Sequence, residues 1–86
     1  MKIFKEYVDF AYGAFTLPKG SKILDIQCMG IHEYFWYMFD ENETEKCEIE
    51  ISCAMTGHET ECDPQYYFKT IVFPDGFVNH YFVKYL

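Results

Sequence analysis

The chain has 86 residues, a formal charge of −7 and an aromatic share of 21%. That length allows one small domain in which burial only narrowly outweighs chain entropy, and so many aromatic residues favour sheet over a helix bundle. With seven lysines and no arginine, a phosphate-gripping surface and direct binding to nucleic acid are not expected, and no apolar run is long enough to span a membrane.

Lys2 to Val8 alternates weakly and reads as a first strand, Asp9 to Gly13 as a connector, and Ala14 to Leu17 as a short second strand. Pro18-Lys19-Gly20-Ser21 is a turn, because proline presets φ and glycine accepts a positive one. Lys22 to Met29 is a third strand, with Leu24, Ile26 and Cys28 on one face and Ile23, Asp25 and Gln27 on the other. Met29-Gly30-Ile31 turns the chain into a fourth strand, His32 to Phe39, which runs into the acidic stretch Asp40 to Glu45. Strand five, Lys46 to Ala54, is expected to pair with strand four across that loop. It has the strongest two-residue period in the chain: Cys47, Ile49, Ile51 and Cys53 point one way, Lys46, Glu48, Glu50 and Ser52 the other. Thr56 to Asp63 is polar and irregular, with at most one helical turn between Glu59 and Tyr67. Tyr66 to Phe73 and Phe77 to Tyr85 are strands six and seven, joined by the hairpin turn Pro74-Asp75-Gly76. The expected fold is all-β: a single domain formed by a small antiparallel meander of six or seven strands, folded as a barrel or a sandwich.

Strands four, six and seven are apolar on both faces, and one sheet of this size cannot bury both by itself. Either the sheet wraps, or a second copy covers it as a homodimer, or the face binds a ligand. Tyr34, Trp36, Tyr37, Tyr66 and Tyr81 are the candidate aromatic interface.

Charge is concentrated. Nine acids between Asp40 and Asp63 face Lys46 alone, net −8, while the rest of the chain is net +1. Asp40, Glu41, Glu43, Glu45, Glu48 and Glu50 are the candidate partner-binding residues, suited to a protein with a basic surface. Glu48 and Glu50 on one strand face stand about 6.5–7 Å apart, comparable to neighbouring phosphates of a nucleic-acid strand. The competing reading is solubility and edge protection.

Catalytic and metal signatures are absent from the sequence. Cys47, Cys53, His58 and Cys62 are zinc-type ligands, but there is no Cys-x-x-Cys. Cys47 and Cys53 also lie about 20 Å apart along their strand, so neither metal nor cofactor is expected. The histidines are scattered, Thr56-Gly57-His58-Glu59 is no nucleophile elbow, and there is no glycine-rich phosphate loop; enzyme activity is not expected. Met1 to Glu6 lacks an apolar leader core, which points to a cytosolic chain with free thiols.

Several blocks taken together carry a resemblance. They are Met1-Lys2-Ile3-Phe4-Lys5, then Leu17-Pro18-Lys19-Gly20-Ser21-Lys22-Ile23-Leu24-Asp25-Ile26-Gln27, then Trp36 followed by Asp40 and a Glu-rich loop. Thr56-Gly57-His58 and Gly76-Phe77-Val78-Asn79-His80-Tyr81-Phe82 follow in order. The chain resembles a family of small uncharacterised bacteriophage proteins that open Met-Lys-Ile-Trp-Lys and carry a Pro-x-Gly-x-Lys-Ile-Leu-x-Val-Gln strand. It departs from them in the connector from Asp9 to Ala14, the aromatic enrichment of strand four and the cysteines. The resemblance implies a phage origin and a place in the host cytoplasm. It also implies action by binding a host machine, as inhibitors of CRISPR effectors and other defences do, rather than by catalysis.

Overall fold

The computed structural model describes residues 1–8, 12–30 and 32–86. Seven strands run β1 (Lys2–Val8), β2 (Tyr12–Pro18), β3 (Lys22–Met29), β4 (His32–Phe39), β5 (Lys46–Met55), β6 (Tyr67–Val72) and β7 (Val78–Tyr85), with one 3-10 turn at Pro64–Tyr66. They form two antiparallel sheets, ordered β1-β4-β3 and β2-β5-β7-β6. The fold is therefore all-β and sandwich-like, and the sheets do not close into a barrel. Most of the connector expected at Asp9 to Gly13, and Ile31 of the β3–β4 turn, lie outside the described residues.

Among the described residues, strands adjacent in sequence pair directly only at the β3–β4 and β6–β7 hairpins. β4 and β5, expected to pair across the acidic loop, lie in different sheets. Both edges of β4 are taken by β1 and β3, and both edges of β5 by β2 and β7; the acidic loop is the step between layers. Gly20 (φ 84°) and Gly76 (φ 94°) supply the positive φ that the β2–β3 and β6–β7 turns require.

The two layers resolve the strands that looked apolar on both sides. Phe35, Tyr37 and Phe39 point inward from β4, and with Ile49, Ile51, Tyr81, Val83, Val8, Leu17, Ile23 and Ile26 they make one buried cluster. Each such side chain, fully buried, stabilises by about 1.5–3 kcal/mol. β3 corrects the strict alternation read from sequence, in which Ile23 and Ile26 fall on opposite faces. A bulge at Leu24 shifts the register between Ile23, opposite Tyr37, and Asp25, opposite Trp36. Both isoleucines are consequently buried and Leu24 is left outside.

The edges are unlike one another. On the β3 and β6 side, Lys69 Nζ reaches across the layers to Asp25 Oδ1 at 2.7 Å. On the other side β1 overhangs: of its seven residues only Val8 is buried, although Phe4 lies opposite Tyr37. Among the described residues no helix is long and apolar enough to cross a membrane.

Candidate functional site

The acidic stretch forms a fixed turn. The Asp40 carbonyl accepts the Glu43 N–H at 3.0 Å, Asp40 Oδ1 accepts the Asn42 N–H at 2.9 Å, and Glu43 Oε2 accepts the Glu45 N–H at 3.2 Å. Lys19 ties it to the β2–β3 turn, its N–H donating to the Glu45 carbonyl at 2.9 Å. Two of the loop acids have counter-ions: Glu41 pairs with Lys2 at 3.4 Å and Glu45 with Lys19 at 3.2 Å. Both pairs are exposed and worth about 0–1 kcal/mol each.

Glu48 and Glu50 project from the outer face of β5, opposite Thr16 and Ala14 of β2, with Lys84 of β7 across from Glu50. The segment after β5 folds back over this face. Glu50, Glu61, Asp63, Tyr66 and Lys84 share the lining of a cavity of about 140 Å³. Asp63 caps the 3-10 turn, and hydrogen bonds from the Gln65 backbone and side-chain amides hold its carboxyl below the usual range. Lys84 Nζ lies 5.3 Å from the Tyr66 ring centroid. Glu61 and Asp63, counted in the acidic segment Asp40 to Asp63 but not among its candidate partner-binding residues, thus stand with Glu50, and Lys84 stands among them. The two acids arrive on the loop after β5, within the segment whose charge the sequence shows, whereas Lys84 arrives on β7 and no local pattern marks it.

The five candidate aromatic residues do not form one surface. Tyr37 and Tyr81 are 5% and 1% exposed: the strand period turns them into the core, which corrects their reading as interface. Tyr66 lies beneath Lys84 on the outer face of the four-stranded sheet. Tyr34 and Trp36 lie together on the outer face of the three-stranded sheet. There Tyr7 stands 5.6 Å from Tyr34 and 5.3 Å from His32 between ring centroids, and Lys5 Nζ sits 4.8 Å from the Tyr34 centroid.

One carboxylate is turned inward. Glu33 shares the parity of Phe35 and Tyr37, a signal that could have placed it on the core face. Its Oε2 and Asn79 Oδ1 are sealed from solvent with no hydrogen-bond partner among the described residues. Burial, with the Glu33 carboxylate nearby, pushes the Tyr81 phenol and the Cys53 and Cys28 thiols up, which leaves these thiols protonated and weakly nucleophilic. Cys47 and Cys53 pack against the core, whereas Cys62 Sγ is 3.6 Å from Ser52 Oγ on the outer face; the sheet separates them. His80 bridges two hydroxyls, Thr56 at 2.7 Å and Thr70 at 2.9 Å. Both of its ring nitrogens are engaged in holding β7 to its neighbours.

Comparison with curated proteins and with solved structures finds no match. A family profile does match, and it spans residues 1–86. The chain belongs to the family described as domain of unknown function DUF7352.

Proposed function

We propose that this is a phage-encoded, non-enzymatic binding protein of the host cytoplasm, which occupies a basic groove of a host defence or nucleic-acid-handling protein with its acidic face. The observation that carries the reading is the convergence of carboxylates from separate segments. Glu48 and Glu50 stand on the outer face of β5, Glu61 and Asp63 fold over it, and the hydrogen-bonded turn Asp40 to Glu45 stands at the head of the same strand. Carboxylates held in place before contact need little ordering on binding and steer encounter with a cationic surface. Lys2, Lys19 and Lys84 temper the charge, so a partner must share or displace them. The motif resemblance to small phage proteins supports the choice of a host target.

The test is affinity capture from bacterial host lysate with the native chain and with a variant carrying Glu43, Glu45, Glu48 and Glu50 changed to Lys. The native chain should retain a basic nucleic-acid-handling protein, and the variant should not. Raising salt from about 0.1 M to 1 M, which shortens the screening length from ~10 Å to ~3 Å, should release it. Retention that survives both changes sinks the electrostatic reading.

A second reading, a sponge for a nucleotide-like signal with an aromatic site at an oligomer interface, draws support from the outer face of the three-stranded sheet. Tyr7, His32 and Tyr34 cluster there with Lys5 over a ring, and Trp36 shares the face. Titration of Trp36 fluorescence with mono- and dinucleotides tests it; an unchanged signal with all of them removes it.

A further inference from the structure

We infer that β1 is a dimerisation edge: a second copy of the chain adds its own β1 antiparallel to this one, with Phe4 on the two-fold axis and Lys2 opposite the partner's Glu6. The inference is independent of the acidic face and stands on the geometry of the edges.

The two sheets have four edge strands, β1, β3, β2 and β6. Edges left open template pairing with another chain, and proteins guard them with bulges, prolines, cover or charged side chains. β3 is bulged at Leu24 and tied to β6 by the Asp25–Lys69 pair. β6 is short and has its own register break between Tyr67 and Lys69. β2 ends in Pro18 and carries Gly13. Among the described residues β1 has no bulge, proline or cover, and its guard is charge alone, in Lys2, Lys5 and Glu6. It pairs with β4 through seven consecutive residues without a shift, and its side chains are exposed on both faces up to Val8. Phe4, 49% exposed, meets Tyr37 and Phe39 in edge-type contacts at 6.3 and 4.9 Å between ring centroids.

Parity then selects a register. Ile3, Lys5 and Tyr7 share the outer face with Met38, Trp36 and Tyr34, while Lys2, Phe4, Glu6 and Val8 share the inner one with Phe39, Tyr37, Phe35 and Glu33. Across a two-fold axis normal to the sheet, opposite residues must lie on the same face, so the axis passes through a residue position. With Lys5 on the axis two ammonium groups meet, and with Glu6 there two carboxylates meet; like charges directly opposite are unfavourable. Centring on Ile3 or Tyr7 shortens the overlap within the strand and pairs no opposite charges between residues of Lys2–Val8. Centring on Phe4 sets Lys2 against the partner's Glu6 and Glu6 against the partner's Lys2. It also brings the two half-exposed Phe4 rings together where the opposing layer does not cover them. The result is a six-stranded sheet, β3-β4-β1 continued by the partner's β1-β4-β3. Lys2 is available for this, because its contact with Glu41, at 3.4 Å, is an exposed one.

Sedimentation velocity or light scattering across a concentration series tests the proposal on the native chain, Lys2→Glu, Glu6→Lys and the double swap Lys2→Glu/Glu6→Lys. Circular dichroism monitors folding, which substitutions on an exposed edge should leave intact. The native chain should dimerise in a concentration-dependent way. Each single change sets like charges opposite at two symmetry-related positions and should weaken the dimer at least about tenfold. The double swap should return affinity to within about threefold of native, since the pairs reverse polarity without loss. A native chain that stays monomeric, single variants that dimerise unchanged, or a double swap no tighter than the singles each overturn it.

Discussion

Deletion of Leu24 should leave the protein folded, although it removes a residue from the middle of a strand. Leu24 is the unpaired residue between Ile23, opposite Tyr37, and Asp25, opposite Trp36. Without Leu24, residues Ile23, Asp25 and Ile26 fall in succession opposite Tyr37, Trp36 and Phe35, and plain alternation keeps both isoleucines inside. The lost side chain is 41% exposed, so the burial forfeited is somewhat over half of the ~1.5–3 kcal/mol of a fully buried leucine. Repair of the interrupted ladder offsets part of that, leaving a net loss of about 1 kcal/mol. Deletion of Glu50 is the contrast. β5 pairs with β2 and β7 without any register shift, so a one-residue slip turns either Cys47 and Ile49 or Ile51 and Cys53 to the outer face. Ile49 and Ile51 are 0% and 1% exposed, and stripping such a residue from the core costs ~2–5 kcal/mol. Ladders on both sides of β5 break as well, against a total stability of about 4–13 kcal/mol for a domain of this length. Urea titration followed by Trp36 fluorescence and far-ultraviolet dichroism distinguishes the two. The Leu24 deletion should keep a cooperative transition with its midpoint lowered by ~1 M or less, given a slope near 1 kcal/mol/M; the Glu50 deletion should show none. A Leu24 deletion that fails to fold refutes the account of β3.

Phe35→Ala should cost about 3–5 kcal/mol, because the ring is fully buried and meets Phe15 edge-on at 4.8 Å between centroids; a loss under about 1 kcal/mol in denaturant titration would show that the layers are not packed there. Acid titration should expose the clasp between the sheets. Burial works to raise the Asp25 carboxyl, but Lys69, the Gln27 amide and the Ile26 N–H together hold it below its ordinary value of 3.8. A carboxyl with a depressed folded-state pKa contributes stability that is present above the unfolded value and lost as pH falls through the folded one. The stability gap between native and Asp25→Asn proteins should therefore be flat above pH 3.8 and close below it; a gap that persists unchanged into strong acid contradicts the pairing.

Much of the fold is legible in the residues, and the parts that are not share one cause. The alternation at Cys47 to Cys53 fixes the faces of β5 without ambiguity, because only one set is apolar. Tyr34 to Phe39 offers two apolar sets, and choosing Phe35, Tyr37 and Phe39 as the inner one requires knowing which strands lie above. The bulge at Leu24 hides for the same reason: Ile23 and Ile26 are both core residues only once the strand is allowed an extra one. At the acidic surface the carboxylates were visible as a local run, whereas Lys2, Lys19 and Lys84 reach it from β1, the β2–β3 turn and β7. Charge counted along the chain overstates charge in space whenever counter-ions come from afar. Glu33 shows the converse, a carboxylate that strand parity alone would have turned inward.

The Asp25–Lys69 contact is seconded by the Tyr85 hydroxyl, which accepts the Ile23 N–H at 3.0 Å and so joins β7 to β3 on the same flank. The molecule is thus stitched like a book along one margin, and among the described residues β1 has no such stitch to the facing sheet. Thermal opening should then proceed as a parting of pages from the free margin, with β3 and β7 acting as the spine. In the single chain, before a second copy covers β1, amide exchange will be faster in β1 than in the other strands and slowest beside the spine, and a partial opening bares Tyr37 and Phe39 while the Ile23 to Tyr85 seam still holds.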